Sequence, residues 1–276
     1  GRNGVTQDYA EAMKWYLKAA EKGYDYAQNK LGDMYMDGSG VDVDYEEALK
    51  IVKEGLAPLG EEYATLLDKA HDEGWIDVEE TAGKRSGAYS ISVYGLKHPY
   101  VLLNYQQTTG NIFTVAHELG HAMHSYYSER NQPQEKASYK IFVAEVASTV
   151  NEVLLTKYLL SVETDKKRRA YILNHFLEGF RTTIFRQTLF AEFERKAHDM
   201  YMSGQPLTAQ GLNALYRQLN EQYYEGAVVD ELQDIEWARI PHFYNSFYVY
   251  QYATGFSSAA AIATRIFDTG DASDYL

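Results

Sequence analysis

The stretch 112–124 is the feature of the sequence that most constrains the fold. It contains the segment HELGH at positions 117–121, and apolar residues recur on either side of it at the spacing of an α-helix. In a helix, His117 and His121 lie one turn apart on the same face. Two imidazoles placed in this way bind a single metal ion, so the sequence predicts a helix that carries part of a metal site.

Glu118, between the two histidines, has a different predicted role. Adjacent side chains of a helix point in different directions, so Glu118 is not a third ligand. It reaches a water bound to the metal and acts as its general base. The alternative interpretation is a helix with two surface histidines and an ordinary glutamate. A third ligand elsewhere in the chain would favour the metal site.

Glu145 is the predicted third ligand. The chain has no cysteine, so a zinc ion must be held by histidine and carboxylate. A three-histidine site of the metzincin type needs a glycine at 124 and a histidine at 127, where this chain has His124 and Tyr127. Glu145 lies 24 residues after His121 on a predicted helix over 142–160. Its neighbours are apolar, and a carboxylate among them needs a partner.

Two further polar residues lie near the predicted ligands in the sequence. Glu152 is seven residues after Glu145 and on the same helical face, where it either hydrogen-bonds a ligand histidine or faces solvent. His124 shares the helical face of the two histidines. We interpret it as a packing or hydrogen-bonding residue rather than a ligand.

The remaining sequence predicts a mainly α fold with a small antiparallel β-sheet. Helical periodicity covers several stretches, which are 45–59, 61–73, 142–160, 165–203 and the segment after Thr208. The stretch 108–111 offers a cap for the helix that contains 112–124, and Thr208 is a predicted helix N-cap. Short runs of glycine, serine, aromatic and β-branched residues in 83–105 predict strands. Within 165–203, we interpret Arg186, Glu192, Glu194 and His198 as helix-surface or buried-pair charges rather than a second metal site.

The N-terminal part contains an internal repeat. Residues 4–12 recur at 40–48, and the offset of 36 residues is typical of helical-hairpin solenoids. Between the two copies, 8–22 and 27–36 are predicted to be amphipathic helices. This segment resembles the Sel-one-like repeat family, and the resemblance implies a role in protein–protein contact.

Charge and hydropathy argue against two classes of partner. Acidic residues outnumber basic ones 39 to 26, for a formal net charge of -13, so nucleic-acid phosphates would be repelled. No apolar run reaches membrane-spanning length, and the N-terminus lacks an apolar signal core. We therefore expect no nucleic-acid or membrane partner, and a cytoplasmic location.

A tyrosine-rich segment near the C-terminus is the second candidate for catalysis. His242 is followed by Tyr244, Tyr248 and Tyr252, whose spacing predicts one aromatic face of a C-terminal helix. A stripe of this kind is ordinarily amphipathic core. In a zinc peptidase, however, a histidine or tyrosine donor is needed to stabilise the oxyanion of the tetrahedral intermediate.

Several motifs together indicate a family. They are TVAHELGHAMHSYYS, FVAEVASTVNEVLL and WARIPHFYNSFYVYQYATGFSSA, joined by GKRSGAYS and FRQTLFAEFE. Through them, residues 45–276 resemble the catalytic C-terminal part of oligoendopeptidase F, in the thimet-oligopeptidase superfamily of zinc metallopeptidases. The resemblance implies a mostly helical zincin-like fold that binds one zinc ion and cleaves short unstructured peptides in a deep channel. We accordingly expect a repeat fragment at 1–43 and an incomplete catalytic domain at 44–276.

The resemblance also assigns roles to single residues. His117, His121 and Glu145 match the family's zinc ligands, and Glu118 matches its general base. His242 matches the histidine that helps to hold the scissile carbonyl or the neighbouring peptide group.

The oxyanion donor is assigned to one of three tyrosines. Tyr252 is the first choice and Tyr248 the second, while Tyr250 stays as a third, because more distant thimet-type members space these tyrosines differently. The predicted function is thus a zinc-dependent endopeptidase that hydrolyses short oligopeptides.

Two departures from the family give an alternative function. Full-length members are much longer and have an N-terminal helical region that forms the opposite wall of the channel, where this chain has a repeat fragment. The chain also stops short of where the family normally ends. The alternative is a catalytically impaired metallopeptidase fragment that acts as a protein-interaction module through its helical repeat. An aminopeptidase is disfavoured because the sequence has no GxMEN segment to bind a free amino terminus.

Overall fold

The fold comes from a computed structural model, which describes residues 9–20 and 44–275. The helices are α1 (Tyr9–Ala20), α2 (Tyr45–Gly55), α3 (Glu61–Asp72), α4 (Thr109–Asn131), α5 (Gln134–Ala137), α6 (Ile141–Val162), α7 (Lys166–Gly179), α8 (Arg186–Met202), α9 (Ala209–Tyr223) and α10 (Tyr250–Thr269). A π-helical segment, Phe180–Phe185, joins α7 to α8, and the 3₁₀ segments of the described ranges are Ala57–Leu59, Glu231–Arg239 and Pro241–Tyr244. The strands are β1 (Ile76–Asp77), β2 (Tyr89–Ile91) and β3 (Tyr100–Leu102).

The predicted mainly α fold with a small sheet is confirmed. The predicted helix over 112–124 lies within α4, and the predicted helix over 142–160 lies within α6. Helix α1 falls within the predicted helix 8–22, whereas the predicted helix 27–36 lies outside the described residues. In the described ranges, no helix combines the length and the apolar character needed to span a membrane.

The sheet has three short strands in the order β1-β3-β2. Strands β2 and β3 pair antiparallel, with Ser90 opposite Val101, as the sequence predicts for 83–105. Strand β1 pairs with β3 in parallel, with Ile76 opposite Val101. Strand β1 was not predicted, because two residues are too few to give a periodic signal in the sequence.

The described chain divides into two compact units. Unit 1 comprises the described residues up to Lys140, then Ala147–Phe176 and the segment from Ala259 onward. Unit 2 comprises Ile141–Val146 and Leu177–Ser258. The boundaries fall inside α6, α7 and α10, so each of these helices contributes residues to both units.

In unit 1, helix α4 provides much of the core. Its buried apolar residues include Phe113, Ala116, Leu119 and Met123, which recur at helical spacing. The side chain of Thr108 accepts a hydrogen bond from the Asn111 N–H, as predicted for an N-cap. The start of α4, and with it the position of the two histidines along the helix, is therefore fixed by local sequence.

Unit 2 has a separate apolar core. It is formed by α8, α9 and the segment before α10, through Leu189, Phe190, Phe193, Tyr216, Leu219, Ile240 and Val249. The buried carboxylate of Glu236 bonds the Arg186 guanidinium and accepts the Tyr216 hydroxyl at 2.7 Å. The interpretation of Arg186 as a buried-pair charge fits this contact.

The prediction of one aromatic face along a C-terminal helix is wrong. Pro241–Tyr244 forms a 3₁₀ turn, and α10 begins only at Tyr250. Between them Phe247 has φ 56°, a left-handed conformation that an α-helix does not contain. Tyr244 is consequently 92% exposed and takes no part in a shared face with Tyr248 and Tyr252.

Candidate active site

Helix α4 brings the two predicted ligand histidines together. Their Nε2 atoms are 3.1 Å apart, and the ring centroids are separated by 4.7 Å with the ring planes nearly perpendicular. Both rings are half-buried. This is the arrangement that the one-turn spacing of His117 and His121 predicts.

Glu145 supplies a third donor atom. One ligand atom from each of His117, His121 and Glu145 lies within 4.8 Å of the other two. Among the described residues, this is the only group of three side chains with metal-ligating atoms so placed. Two imidazoles and one carboxylate are a donor set that zinc accepts, with a fourth position left for water or substrate. The residues present therefore fit a divalent metal ion such as zinc.

The position of Glu145 depends on how α6 passes α4. A Cβ atom added at Gly120 would lie 2.7 Å from the Ser148 Cα and 2.8 Å from the Ala147 carbonyl oxygen. Only glycine leaves room for two backbones at that distance. Glu145 lies just before this crossing on the same helix, so the close approach brings its carboxylate towards the histidines.

A buried asparagine, which the sequence analysis missed, also joins the two helices. The Asn151 amide of α6 donates to the Ala116 carbonyl oxygen of α4 at 2.9 Å and contacts the Tyr63 hydroxyl at 3.0 Å. Asn151 is fully buried. A buried amide needs such partners, and its occurrence on a long apolar helix was the available sequence signal.

Glu152 lies against a predicted ligand histidine rather than in solvent. Its carboxylate makes a short hydrogen bond to His117 Nδ1. A carboxylate on Nδ1 fixes the tautomer and orientation of the ring and leaves Nε2 as the metal-binding atom. Of the two alternatives for Glu152, the structure favours the one in which it supports a ligand.

Glu118 and His124 occupy different environments on the same helix. Glu118 is buried, with 7% of its surface exposed. His124 stacks on Tyr139 at a centroid distance of 3.8 Å, and burial lowers its pKa. His124 is not in the metal-ligating group, in agreement with its interpretation as a packing residue.

Within unit 2, His242, Tyr248 and Tyr252 form a contiguous cluster. The His242 ring is 5.8 Å from the Tyr248 ring and 6.1 Å from the Tyr252 ring, and the Tyr252 hydroxyl donates to the Tyr248 hydroxyl at 3.3 Å. Burial, the hydrogen bond with Tyr248 and the charge of Glu145 together raise the pKa of Tyr252. Tyr250 does not belong to the cluster and is 50% exposed.

Another glycine brings α10 close to the start of α6. A Cβ at Gly255 would lie 3.2 Å from the Phe142 carbonyl oxygen and 3.5 Å from the Glu145 Cβ. Gly255 is three residues after Tyr252, so this contact explains how the charge of Glu145 reaches the Tyr252 phenol.

Comparison with known proteins shows the family of the chain. The sequence profile of Peptidase family M3 matches residues 40–275, and that of the Sel1 repeat matches residues 1–24 and 25–51. Oligopeptidase PepF of Bacillus subtilis (strain 168) is 48% identical over 259 residues, 92% of this chain and 38% of that protein. The chromosomal oligoendopeptidase F of Lactococcus lactis subsp. cremoris is 48% identical over 255 residues, 91% of this chain and 42% of that protein.

A solved structure gives the same result for the fold. The crystal structure of oligoendopeptidase-F from Enterococcus faecium superposes with a TM-score of 0.58 at 38% identity, covering 84% of this chain and 34% of that one. The chain thus spans about two fifths of the length of the curated relatives described above. The profile match extends over most of the sequence and includes every residue of the candidate site, and we conclude that the chain belongs to Peptidase family M3.

Proposed function

We propose that this chain is the catalytic part of a zinc-dependent endopeptidase that hydrolyses peptide bonds in short oligopeptides. The observation that carries the proposal is the convergence of His117, His121 and Glu145 in a member of Peptidase family M3. The names of the Bacillus and Lactococcus relatives, an oligopeptidase and an oligoendopeptidase, support short peptides as the substrate class.

In this proposal His117, His121 and Glu145 hold the zinc ion. Zinc at that position supplies Lewis acidity at the scissile carbonyl and makes water a better nucleophile near neutral pH. Glu152 keeps the His117 ring in the orientation that binds metal through its Nε2 atom.

Glu118 is the proposed general base. It follows His117 directly in α4, and its buried position means that the helix, rather than a mobile chain, determines where its carboxylate lies. Glu118 accepts a proton from the attacking water and then delivers it to the leaving amine, so the residue returns to its starting state after each turnover.

Tyr252 is the proposed oxyanion donor, with Tyr248 as its hydrogen-bonded neighbour. A tyrosine phenol keeps its proton at neutral pH, so Tyr252 can donate a hydrogen bond to the developing oxyanion. His242 is exposed and stacks on Tyr248, a position from which it binds the neighbouring peptide group of the substrate. Tyr250 receives no role.

Strand β2 is the proposed binding edge for the substrate main chain. It lies at one edge of the sheet and packs against α4, the helix that carries the histidines. Ile91 on this strand is 51% exposed. An extended peptide that pairs with β2 as an additional strand would have its backbone held in register beside the metal.

The test is the metal content of the purified chain, combined with hydrolysis of a quenched-fluorescent peptide. A peptide of about ten residues is long enough to pair with a short strand and extend beyond it on both sides. We expect one zinc ion per chain, cleavage that stops on chelation, and recovery when zinc is added back. One zinc ion per chain without cleavage would contradict the proposal and favour the catalytically impaired fragment.

The N-terminal segment has a separate proposed role in protein contact. The two Sel1 matches support this role, and so does Trp15 of α1, which is 61% exposed. We place the domain boundary after residue 43. If the proposal holds, a Trp15→Glu variant loses a partner that the wild-type chain retains in the presence of a chelator. The cytoplasmic location stays a prediction from sequence.

A further inference from the structure

Glu194 is a buried carboxylate that the proposed mechanism does not use. It lies on α8 in unit 2, within the segment FRQTLFAEFE, and is 5% exposed. Its Oε1 atom accepts the Phe247 N–H at 2.6 Å. Its Oε2 atom is buried and has no protein hydrogen-bond partner within the described ranges. A carboxylate buried with so few protein donors costs stability, so core packing alone does not explain its presence.

Phe247 needs a contact of this kind. Its φ of 56° lies in the left-handed region, which bulky non-glycine residues rarely adopt. A residue in that region keeps its conformation only when the surrounding structure holds it there. Phe247 is 48% exposed, and its ring packs against the exposed His198, with the ring centroids 4.8 Å apart. The bond from its amide to Glu194 is therefore the buried contact that fixes this residue.

Phe247 belongs to a loop, 245–249, that connects two parts of the aromatic cluster. The loop follows the 3₁₀ turn that contains His242, and the Asn245 N–H donates to the His242 carbonyl at 3.0 Å. The Tyr248 N–H donates back to the Asn245 carbonyl at 3.2 Å. Val249, 1% exposed, is inserted into the core of unit 2. The conformation of Phe247 thus determines which way the next residue, Tyr248, projects.

We propose that Glu194 is a positioning residue, which locks the loop 245–249 through the Phe247 amide and so orients Tyr248 against His242 and Tyr252. The inference rests on the proposed function, in which Tyr252 donates to the oxyanion, His242 binds the neighbouring peptide group and Tyr248 holds the Tyr252 hydroxyl by a hydrogen bond. Glu194 itself does not touch the substrate in this account.

Loss of the Glu194 acceptor has a specific consequence for catalysis. When Phe247 relaxes to an ordinary φ, the peptide plane before Tyr248 rotates. The Tyr248 phenol then no longer lies within hydrogen-bond distance of the Tyr252 hydroxyl. An interaction made in the transition state is then weakened, so kcat falls while KM changes little. Misplacement of a catalytic group by about 1 Å lowers the rate by up to about a hundredfold, so we expect a loss in kcat of about tenfold or more.

The experiment compares Glu194→Met with Glu194→Gln in the full chain. Methionine has a similar length and removes the acceptor without leaving a cavity, whereas glutamine keeps a carbonyl oxygen for the Phe247 amide. Glu236→Gln is the matched control, because Glu236 is similarly buried in unit 2 but bonds Arg186 and Tyr216 instead of the loop. Zinc content, kcat, KM and hydrogen exchange of the backbone amides of 245–249 are measured for each.

We expect faster exchange in 245–249 and a lower kcat for Glu194→Met, with both largely restored in Glu194→Gln and unchanged in Glu236→Gln. Unchanged exchange in Glu194→Met would overturn the proposal whether or not the chain cleaves peptides, which separates it from failure of the proposed function. Faster exchange with unchanged kcat in a cleaving enzyme would also overturn it, as would equal losses in the Gln and Met variants. If Glu194→Met does not fold, Glu194→Gln is compared with wild type and with Glu236→Gln. Since a neutral amide accepts more weakly than a carboxylate, exchange at Phe247 must then rise by a small but measurable factor in Glu194→Gln and not in Glu236→Gln, and no rise would overturn the proposal.

Discussion

Substitution of Gly120 by alanine tests how tightly α4 and α6 must pack to form the metal site. The added Cβ would lie 2.7 Å from the Ser148 Cα and 2.8 Å from the Ala147 carbonyl oxygen. Non-bonded carbon contacts are optimal at about 3.5 Å or more, so the added Cβ and the Ser148 Cα must move apart by roughly 0.8 Å. Both neighbouring atoms belong to the backbone, so no side chain can rotate away to relieve the contact.

The expected change in the free energy of unfolding is the sum of two opposing effects. Overpacking a core costs about 1–3 kcal/mol, and a clash between two backbones belongs at the upper end of that range. Alanine has a higher helix propensity than glycine, which offsets about 1 kcal/mol. We therefore expect Gly120→Ala to lower the free energy of unfolding of the metal-free chain by about 2 kcal/mol. Because α6 also carries Glu145, we expect zinc affinity to fall by about tenfold or more, as for other changes that disturb ligand support.

The assay is urea unfolding in the presence of a chelator, followed by zinc titration against a fluorescent competitor. Gly211→Ala in α9 is the matched control, since a Cβ there would meet only side-chain atoms, the nearest being Thr208 Oγ1 at 3.2 Å. The control should unfold at the same urea concentration as the wild type or at a slightly higher one. A Gly120→Ala chain that is as stable as wild type and binds zinc equally well would refute the reasoning.

Three further predictions concern residues around the site. Glu152→Ala should weaken zinc binding about 10–100-fold in a competition titration because the His117 ring loses its carboxylate, and equal affinity would contradict that role. Asn151→Ala should lower the free energy of unfolding by about 2 kcal/mol, since the buried Tyr63 hydroxyl and Ala116 carbonyl lose the amide as a hydrogen-bond partner. No change in urea unfolding would contradict this. Burial lowers the pKa of His124 below its unfolded value of 6.5, so the folded chain favours the neutral imidazole. The resulting stabilisation is fully present above pH 6.5 and is lost as the pH falls through the folded pKa. His124→Phe, which keeps the stack on Tyr139, should therefore lose less stability than the metal-free wild type between about pH 7 and pH 5, and identical pH profiles would contradict the assignment.

The grouping of the three candidate metal ligands could be predicted from sequence because its determinants are local. The one-turn spacing of His117 and His121 places them on one face of any helix, and the apolar surroundings of Glu145 mark it as a carboxylate in need of a partner. Apolar residues at helical spacing around 117–121 likewise predicted α4, and the long apolar stretch 142–160 predicted α6.

The features that sequence did not reveal depend on distant contacts. The need for glycine at 120 arises from the backbone of α6, which nothing in the sequence around Gly120 indicates. The break before α10 is held by Glu194, which is 53 residues away from Phe247 in the chain. Periodicity through Tyr244, Tyr248 and Tyr252 therefore predicted a continuous helix that this distant bond excludes.

The central claim is that Glu118 performs general-base chemistry beside a zinc ion held by His117, His121 and Glu145. The most direct measurement is turnover of a short quenched-fluorescent peptide by Glu118→Gln, with zinc content determined on the same sample. The account predicts one zinc ion per chain and a loss in kcat of about a hundredfold or more. A Glu118→Gln chain that retains both its zinc and its full turnover would contradict it.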